Sequence, residues 1–203
     1  RFSSNLFFAN VQVLKNDIED HIKPDTKAVI LDAGGIGSLD ITAADCLKRL
    51  HQSLKEKGIR IDAVGMQGHM GMDYPTVEDF EKSLLAFAAT GAKVMITEWD
   101  MSALPTVSHT ANISDTAAYR KALNPYPETL PDSVSRIWNA RMKSFFDLFL
   151  KHADVITRVT AWGISDGDSW KNDFPMRGRR EYPLLFDRNY QPKPFVRELL
   201  QTP

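Results

Sequence analysis

The chain has 203 residues, 43% of them hydrophobic, which is enough for one sizeable domain with a buried core. Lys plus Arg number 25 against 26 for Asp plus Glu, a net charge of −1, which excludes a phosphate-tracking nucleic-acid binder and a polybasic membrane anchor. One cysteine, Cys46, excludes an intrachain disulfide and a cysteine-rich zinc site, and no apolar run approaches the ~18 residues of a membrane helix.

The elements alternate along the chain. "VQVLKNDIEDHIK" (11–23) carries Val11, Leu14, Ile18 and Ile22 at helical spacing and stops at Pro24. "KAVILDAG" (27–34) is a short apolar run ending at glycines, expected as a buried strand. A helix over 41–58 places Leu47, Leu50 and Leu54 on one face, holds Cys46 as a small buried residue, and ends at Gly58. Strand 60–69 follows, then a helix over 76–91 opened by Thr76 and Asp79, then strand 93–100. Residues 101–132, rich in Pro, Ser, Thr and Asn, read as a long connection without an element of its own. The strongest helix, 133–154, bears Val134, Ile137, Trp138, Phe145, Phe146 and Phe149 as its stripe, with Trp138 expected in the core. Strand 157–163, an irregular stretch to about Asp187 and a last helix over 194–201 complete the order.

Strand followed by helix, four times over, implies a parallel α/β sheet with right-handed crossovers. The pattern alone does not choose between a barrel and an open sheet. In either, the site lies at the carboxyl ends of the strands.

Period two decides which side chains share a face there. Gln67 and His69 point the same way on one strand, and Glu98 and Asp100 do so in "ITEWD" on the next. Neighbouring strands lie about 4.8 Å apart, so His69 is within reach of the carboxylates. A histidine between two acids can orient one and hold it ionised as a nucleophile; it can equally be a structural ion-pair network. In "WGISDGDSW", Trp162 and Trp170 offer indole faces to a sugar ring, while Asp166, Asp168 and Ser169 are placed to meet hydroxyls.

"IDAVGMQGH", "VMITEWD", "RVTAWGISDGDSW" and "YPLLFDRNYQPKPF" resemble, in order, four landmarks of the glycoside hydrolase family 10 xylanases. The likeness runs from about Gly58 to Phe195, with residues 1–57 matched weakly, and treats 1–203 as part of one catalytic domain. It implies a (β/α)₈ TIM barrel and retaining endo-hydrolysis of β-1,4-xylan without a cofactor or metal. It assigns Glu98 as nucleophile, His69 and Asp100 as its hydrogen-bonding partners, and Gln67, Trp162, Trp170 and Asp168 as substrate contacts.

The same resemblance expects a general acid in an "NE" pair on the fourth strand, about 5–5.5 Å from the nucleophile. No "NE" occurs in this sequence, and "LDAGGIG" stands where an "NDYN"-like stretch is usual. The chain is therefore expected to supply strands five to eight, with the acid coming from a complementary amino-terminal half, a second chain or a second copy; otherwise it is a divergent relative of the family. Asp32 is the one nearby substitute acid. The alternative is a non-catalytic xylan- or β-glycan-binding protein derived from such a barrel. The partner is xylan or a xylo-oligosaccharide, and a periplasmic or secreted location is expected because xylan is too large to import. The first residues do not read as a signal peptide, so any export signal is expected to have been removed or to lie elsewhere.

The remaining motifs point elsewhere. Gly35 and Gly37 give G-x-G, but Asp40 occupies the third glycine position of a dinucleotide fingerprint. His21, His51, His109 and His152 are scattered and expected in surface or capping roles. "RGRREY" (177–182) reads as a solvated loop, and "NIS" (112–114) is a formal glycosylation acceptor.

Overall fold

The computed structural model describes residues 9–27, 29, 31–32, 41–59, 61–105 and 116–201. The elements are α1 (Val11–His21), β1 (Leu31–Asp32), α2 (Ile41–Glu56), β2 (Ala63–Met70), α3 (Val77–Ala88), β3 (Lys93–Met101), α4 (Thr116–Leu123), α5 (Asp132–Lys151), β4 (Ile156–Ala161), a single 3₁₀ turn (Asp166–Asp168) and α6 (Pro194–Gln201). The strands form one sheet in the order β1-β2-β3-β4. β1 pairs with β2 in parallel, Leu31 opposite Val64 and Asp32 opposite Gly65. Residues 33–37 of "DAGGIG", His109 and "NIS" fall outside the described residues.

Hydrogen bonds give the direction of the other pairs. Lys93 N–H donates to Asp62 C=O at 3.0 Å and Ser102 N–H to Met70 C=O at 2.9 Å, so β2 and β3 ascend together. Val94 N–H donates to Val155 C=O and Trp162 N–H to Trp99 C=O, each at 2.9 Å, which makes β3 and β4 parallel as well.

The first of these pairs also reveals a bulge. From Lys93 to Ser102 the chain takes nine steps, while from Asp62 to Met70 it takes eight, so β3 holds one residue more than its partner. The burial pattern shifts phase to match: Val94 and Ile96 are buried in the first half of β3, Trp99 and Met101 in the second. Thr97, at the shift, donates its hydroxyl to Met66 C=O at 3.2 Å.

The chain divides into two compact units. The first comprises the described residues up to Gly68, Val77–Thr97 and Lys151–Thr160. Its core is Leu47, Leu50 and Leu54 of α2, Phe80, Leu84 and Phe87 of α3, and Val64, Val94 and Ile96 of the strands. Helix α2 closes as its glycine demands. Gly58 adopts φ 74°, Gly58 N–H donates to Lys55 C=O and Ile59 N–H to Leu54 C=O, each at 2.9 Å, a Schellman-type end. Cys46 is buried on the same helix.

The second unit comprises His69–Thr76, Glu98–Leu150 and Ala161 onward. Trp99 is its centre, edge-on to Phe145 at 5.2 Å and to Phe149 at 4.9 Å between ring centroids. Trp138 is buried as expected and donates its indole N–H to Met101 C=O at 2.7 Å.

Three expectations are corrected here. The connection over 101–132 does contain an element, α4; its "TAAYRKAL" is rich in strong helix formers, outweighed in the sequence by the Pro, Ser and Thr around it. Ile137 is exposed rather than part of the stripe, because it lies about 100° around the helix from Trp138. Arg179 and Glu181 of "RGRREY" are buried, not solvated: Glu181 accepts from the N–H groups of Ala103, Leu104 and Tyr182 and from Arg179, so its charge is satisfied on every side.

Candidate active site

Of the four residues read from the strands, Gln67 lies in the first unit, and His69, Glu98 and Asp100 lie together in the second. In β2 the even positions, Val64, Met66 and Met70, are buried, and the odd positions carry Gln67 and His69, each half-buried. Glu98 and Asp100 take the corresponding face of β3 after the bulge.

His69 stands between the two acids. Its Nε2 lies 3.0 Å from Glu98 Oε2 and its Nδ1 lies 3.0 Å from Asp100 Oδ2. The Nε2–Oε2 contact is a hydrogen bond, whereas Nδ1 and Asp100 Oδ2 stand at ion-pair distance. Burial works against the charged ring, but the bond and charge of Asp100, and then the bond to Glu98, outweigh it and lift the His69 pKa above its ordinary value. Burial also pushes the Asp100 carboxyl up, and the bond to His69 together with the charge of Lys171 more than reverses this, leaving it below the usual range.

Asp100 has no exposed surface at all, whereas the Glu98 side chain keeps 21% of its own. The difference fits two roles. One carboxylate is locked into the protein, and the other opens to a ligand.

The loop after β4 walls this cluster. Trp170 donates its indole N–H to Asp100 Oδ2 at 2.9 Å and sits edge-on to the His69 ring at 5.4 Å. Trp162 and Trp170 expose 45% and 47% of their surface, large values for indoles tied into a fold. Gly163 holds φ 140°, a value that favours glycine, and an added Cβ there would come within 2.6 Å of Leu184 Cδ1.

Of the polar residues in "SDGDSW", only Asp168 is exposed; Ser165 Oγ donates to its Oδ2 at 2.8 Å. Asp166 and Ser169 are buried rather than open towards a sugar's hydroxyls, which differs from the expectation. At three residues per turn they lie on the same side of the 3₁₀ turn, and that side is buried. Asp166 instead pairs with Lys193 Nζ at 2.9 Å and accepts from Leu184 N–H at 2.9 Å.

Lys171 was not singled out by the sequence. Its Nζ lies 2.9 Å from Asp100 Oδ1 and donates to Ser102 Oγ at 3.0 Å. Nothing in the local sequence pattern of the irregular loop marks it. Asp32 ends β1 opposite Gly65.

The sequence pattern of glycosyl hydrolase family 10 matches residues 20–202, which carries the likeness well upstream of Gly58. Endo-1,4-beta-xylanase A of Xylanibacter ruminicola is 45% identical over 155 residues, covering 75% of this chain and 42% of that protein. A thermostable celloxylanase of Thermoclostridium stercorarium is 37% identical over 155 residues, covering 76% of this chain and 36% of its own length. A solved GH10 endoxylanase retrieved from sugarcane soil metagenome superposes with TM-score 0.65 at 38% identity, covering 79% of this chain and 45% of that one. The chain thus spans less than half the length of each of these relatives. Family and solved relatives alike imply a (β/α)₈ barrel architecture. By a sequence match covering most of its length, the chain belongs to glycosyl hydrolase family 10.

Proposed function

We propose that the polypeptide containing this chain hydrolyses internal β-1,4-xylosidic bonds of xylan with retention, and that this chain supplies strands five to eight of the barrel. Glu98 is the nucleophile. Its oxygen bonds to the anomeric carbon as the glycosidic C–O bond breaks. A general acid from outside this chain gives its proton to the leaving oxygen. The resulting glycosyl ester is then cleaved by water, which loses its proton to the same external group acting as base.

His69 serves this chemistry by holding Glu98 Oε2, so the carboxylate is oriented before substrate arrives. Asp100 fixes the ring from behind. Gln67 and Asp168 are substrate contacts, and Trp162 and Trp170 stack on the sugar rings beside the scissile bond. Open aromatic faces suit a polymer passing through a groove, hence endo action. From the size of the polymer we infer that the working protein acts in the periplasm or outside the cell.

One observation carries the proposal: the 3.0 Å contact between His69 and a partly exposed Glu98, backed by a fully buried Asp100. The test is Glu98→Gln in the complete polypeptide, assayed for reducing-sugar release from xylan. A fall in kcat of at least about a thousandfold is expected for loss of a nucleophile. A rate within tenfold of wild type removes Glu98 from that role. Xylan binding without turnover by the unmutated complete polypeptide replaces the proposal with a binding function.

A further inference from the structure

Both oxygens of Asp100 are held by one short stretch of chain. Trp170 donates to Oδ2 at 2.9 Å, and the next residue, Lys171, places its ammonium 2.9 Å from Oδ1. Consecutive residues thus grip a single carboxylate that has no exposed surface.

The lysine is itself largely withdrawn from water, with 12% of its side chain exposed. An ammonium is strongly hydrated, and burying it costs several kcal/mol unless charge and hydrogen bonds replace the water. Here the replacements are Asp100, the Ser102 hydroxyl at 3.0 Å and, at 5.6 Å, the ring of Trp170. An exposed surface lysine needs none of these.

The charges alternate along the cluster: Glu98 negative, His69 positive, Asp100 negative, Lys171 positive. The row sums to zero only when Lys171 is counted. Remove it, and a buried carboxylate is left with the histidine as its one cationic partner in the row.

We propose that Lys171 is a positioning residue of the active site: by pairing with Asp100 Oδ1 it fixes that carboxylate in place and leaves Oδ2 to be shared between His69 and Trp170. One ion pair then fixes two things, the histidine that orients the nucleophile and the indole that walls the sugar. The consequence for rate rests on Glu98 being the nucleophile; the consequence for the histidine does not.

Among the described residues, the charged groups that act on His69 are Glu98 and Asp100 from β3 and Lys171 from the loop after β4. The two acids favour the imidazolium, and Lys171, with burial, opposes it. Neutralising Lys171 therefore shifts the His69 titration to higher pH.

The experiment uses the complete polypeptide with Lys171→Met and Lys171→Arg, and follows the His69 ring by nitrogen-15 NMR across pH, alongside xylan kinetics. Expected are a titration moved upward in K171M and near wild type in K171R, with kcat/KM about tenfold lower in K171M and largely restored in K171R. If K171M does not fold, Lys171→Gln keeps the chain length and a hydrogen-bonding end without the charge. A His69 titration in folded K171M or K171Q that overlays wild type overturns the proposal. The titration reads a proton and not turnover, so a polypeptide inactive on xylan would sink the proposed function and leave this test standing.

Discussion

Trp170 and His69 share one oxygen: the indole N–H reaches Asp100 Oδ2 at 2.9 Å, and His69 Nδ1 stands 3.0 Å from the same atom. The wall that meets the sugar and the ring that meets the nucleophile are therefore joined through a single buried carboxylate. A disturbance of one is felt by the other.

Trp170→Phe tests this coupling. It keeps an aromatic face and deletes the donor. In the complete polypeptide kcat/KM for xylan is expected to fall about tenfold, the worth of one hydrogen bond to a charged acceptor. Because the loss passes through Asp100, kcat should change as well as KM; a change in KM alone would mean the wall acts only by stacking.

The charge row sets a pH window for stability. His69 has a raised pKa in the fold, so its contribution is fully present below the unfolded value of about 6.5 and is lost as pH rises through the higher folded value. Asp100 has a lowered pKa, so its contribution is present above the unfolded value of about 3.9 and is lost as pH falls through the lower folded value. Urea midpoints across pH should show both limbs. His69→Gln should flatten the alkaline one, and a limb unchanged in that variant would detach it from His69.

A second buried ion pair lies behind the loop. Burial pushes the Asp166 carboxyl up and the Lys193 ammonium down, yet the two stand 2.9 Å apart with Lys193 also 4.0 Å above the Trp138 ring. Lys193→Met strands the acid, and unfolding free energy should drop by about 3–5 kcal/mol. The double change Lys193→Met with Asp166→Asn should cost less than the single one, measured by denaturant unfolding.

Gly163 supplies a backbone test. Gly163→Ala combines an unfavourable φ of 140° with a Cβ 2.6 Å from Leu184 Cδ1. A loss of about 1–3 kcal/mol is expected, together with altered fluorescence of the adjoining Trp162. Wild-type stability in this variant would show that Leu184 yields without cost.

Trp99→Leu probes the core behind the acids. The indole packs edge-on against Phe145 and Phe149 and donates to Met142 Sδ at 3.1 Å. A smaller side chain leaves a cavity, and the expected destabilisation is about 2–4 kcal/mol by thermal or denaturant unfolding.

The sequence by itself determined much of this protein. Alternating strands and helices, the shared face of Gln67 with His69 and of Glu98 with Asp100, and the buried stripe of α5 around Trp138 all follow from short-range periodicity, which is a property of the backbone and visible in any window of a few residues. Only the tertiary structure decided the bulge that shifts β3 by one residue, since register is a relation between two strands and leaves no mark on either alone. It also decided the fates of the loop's charges. In "SDGDSWK" Asp166 and Lys171 look as solvated as Asp168, yet Asp166 is buried and Lys171 largely withdrawn from water against partners 27 and 71 positions away, Lys193 and Asp100, while Asp168 is exposed. Whether a charge faces water or a counter-ion depends on which distant segment folds over it, and that information is spread along the whole chain.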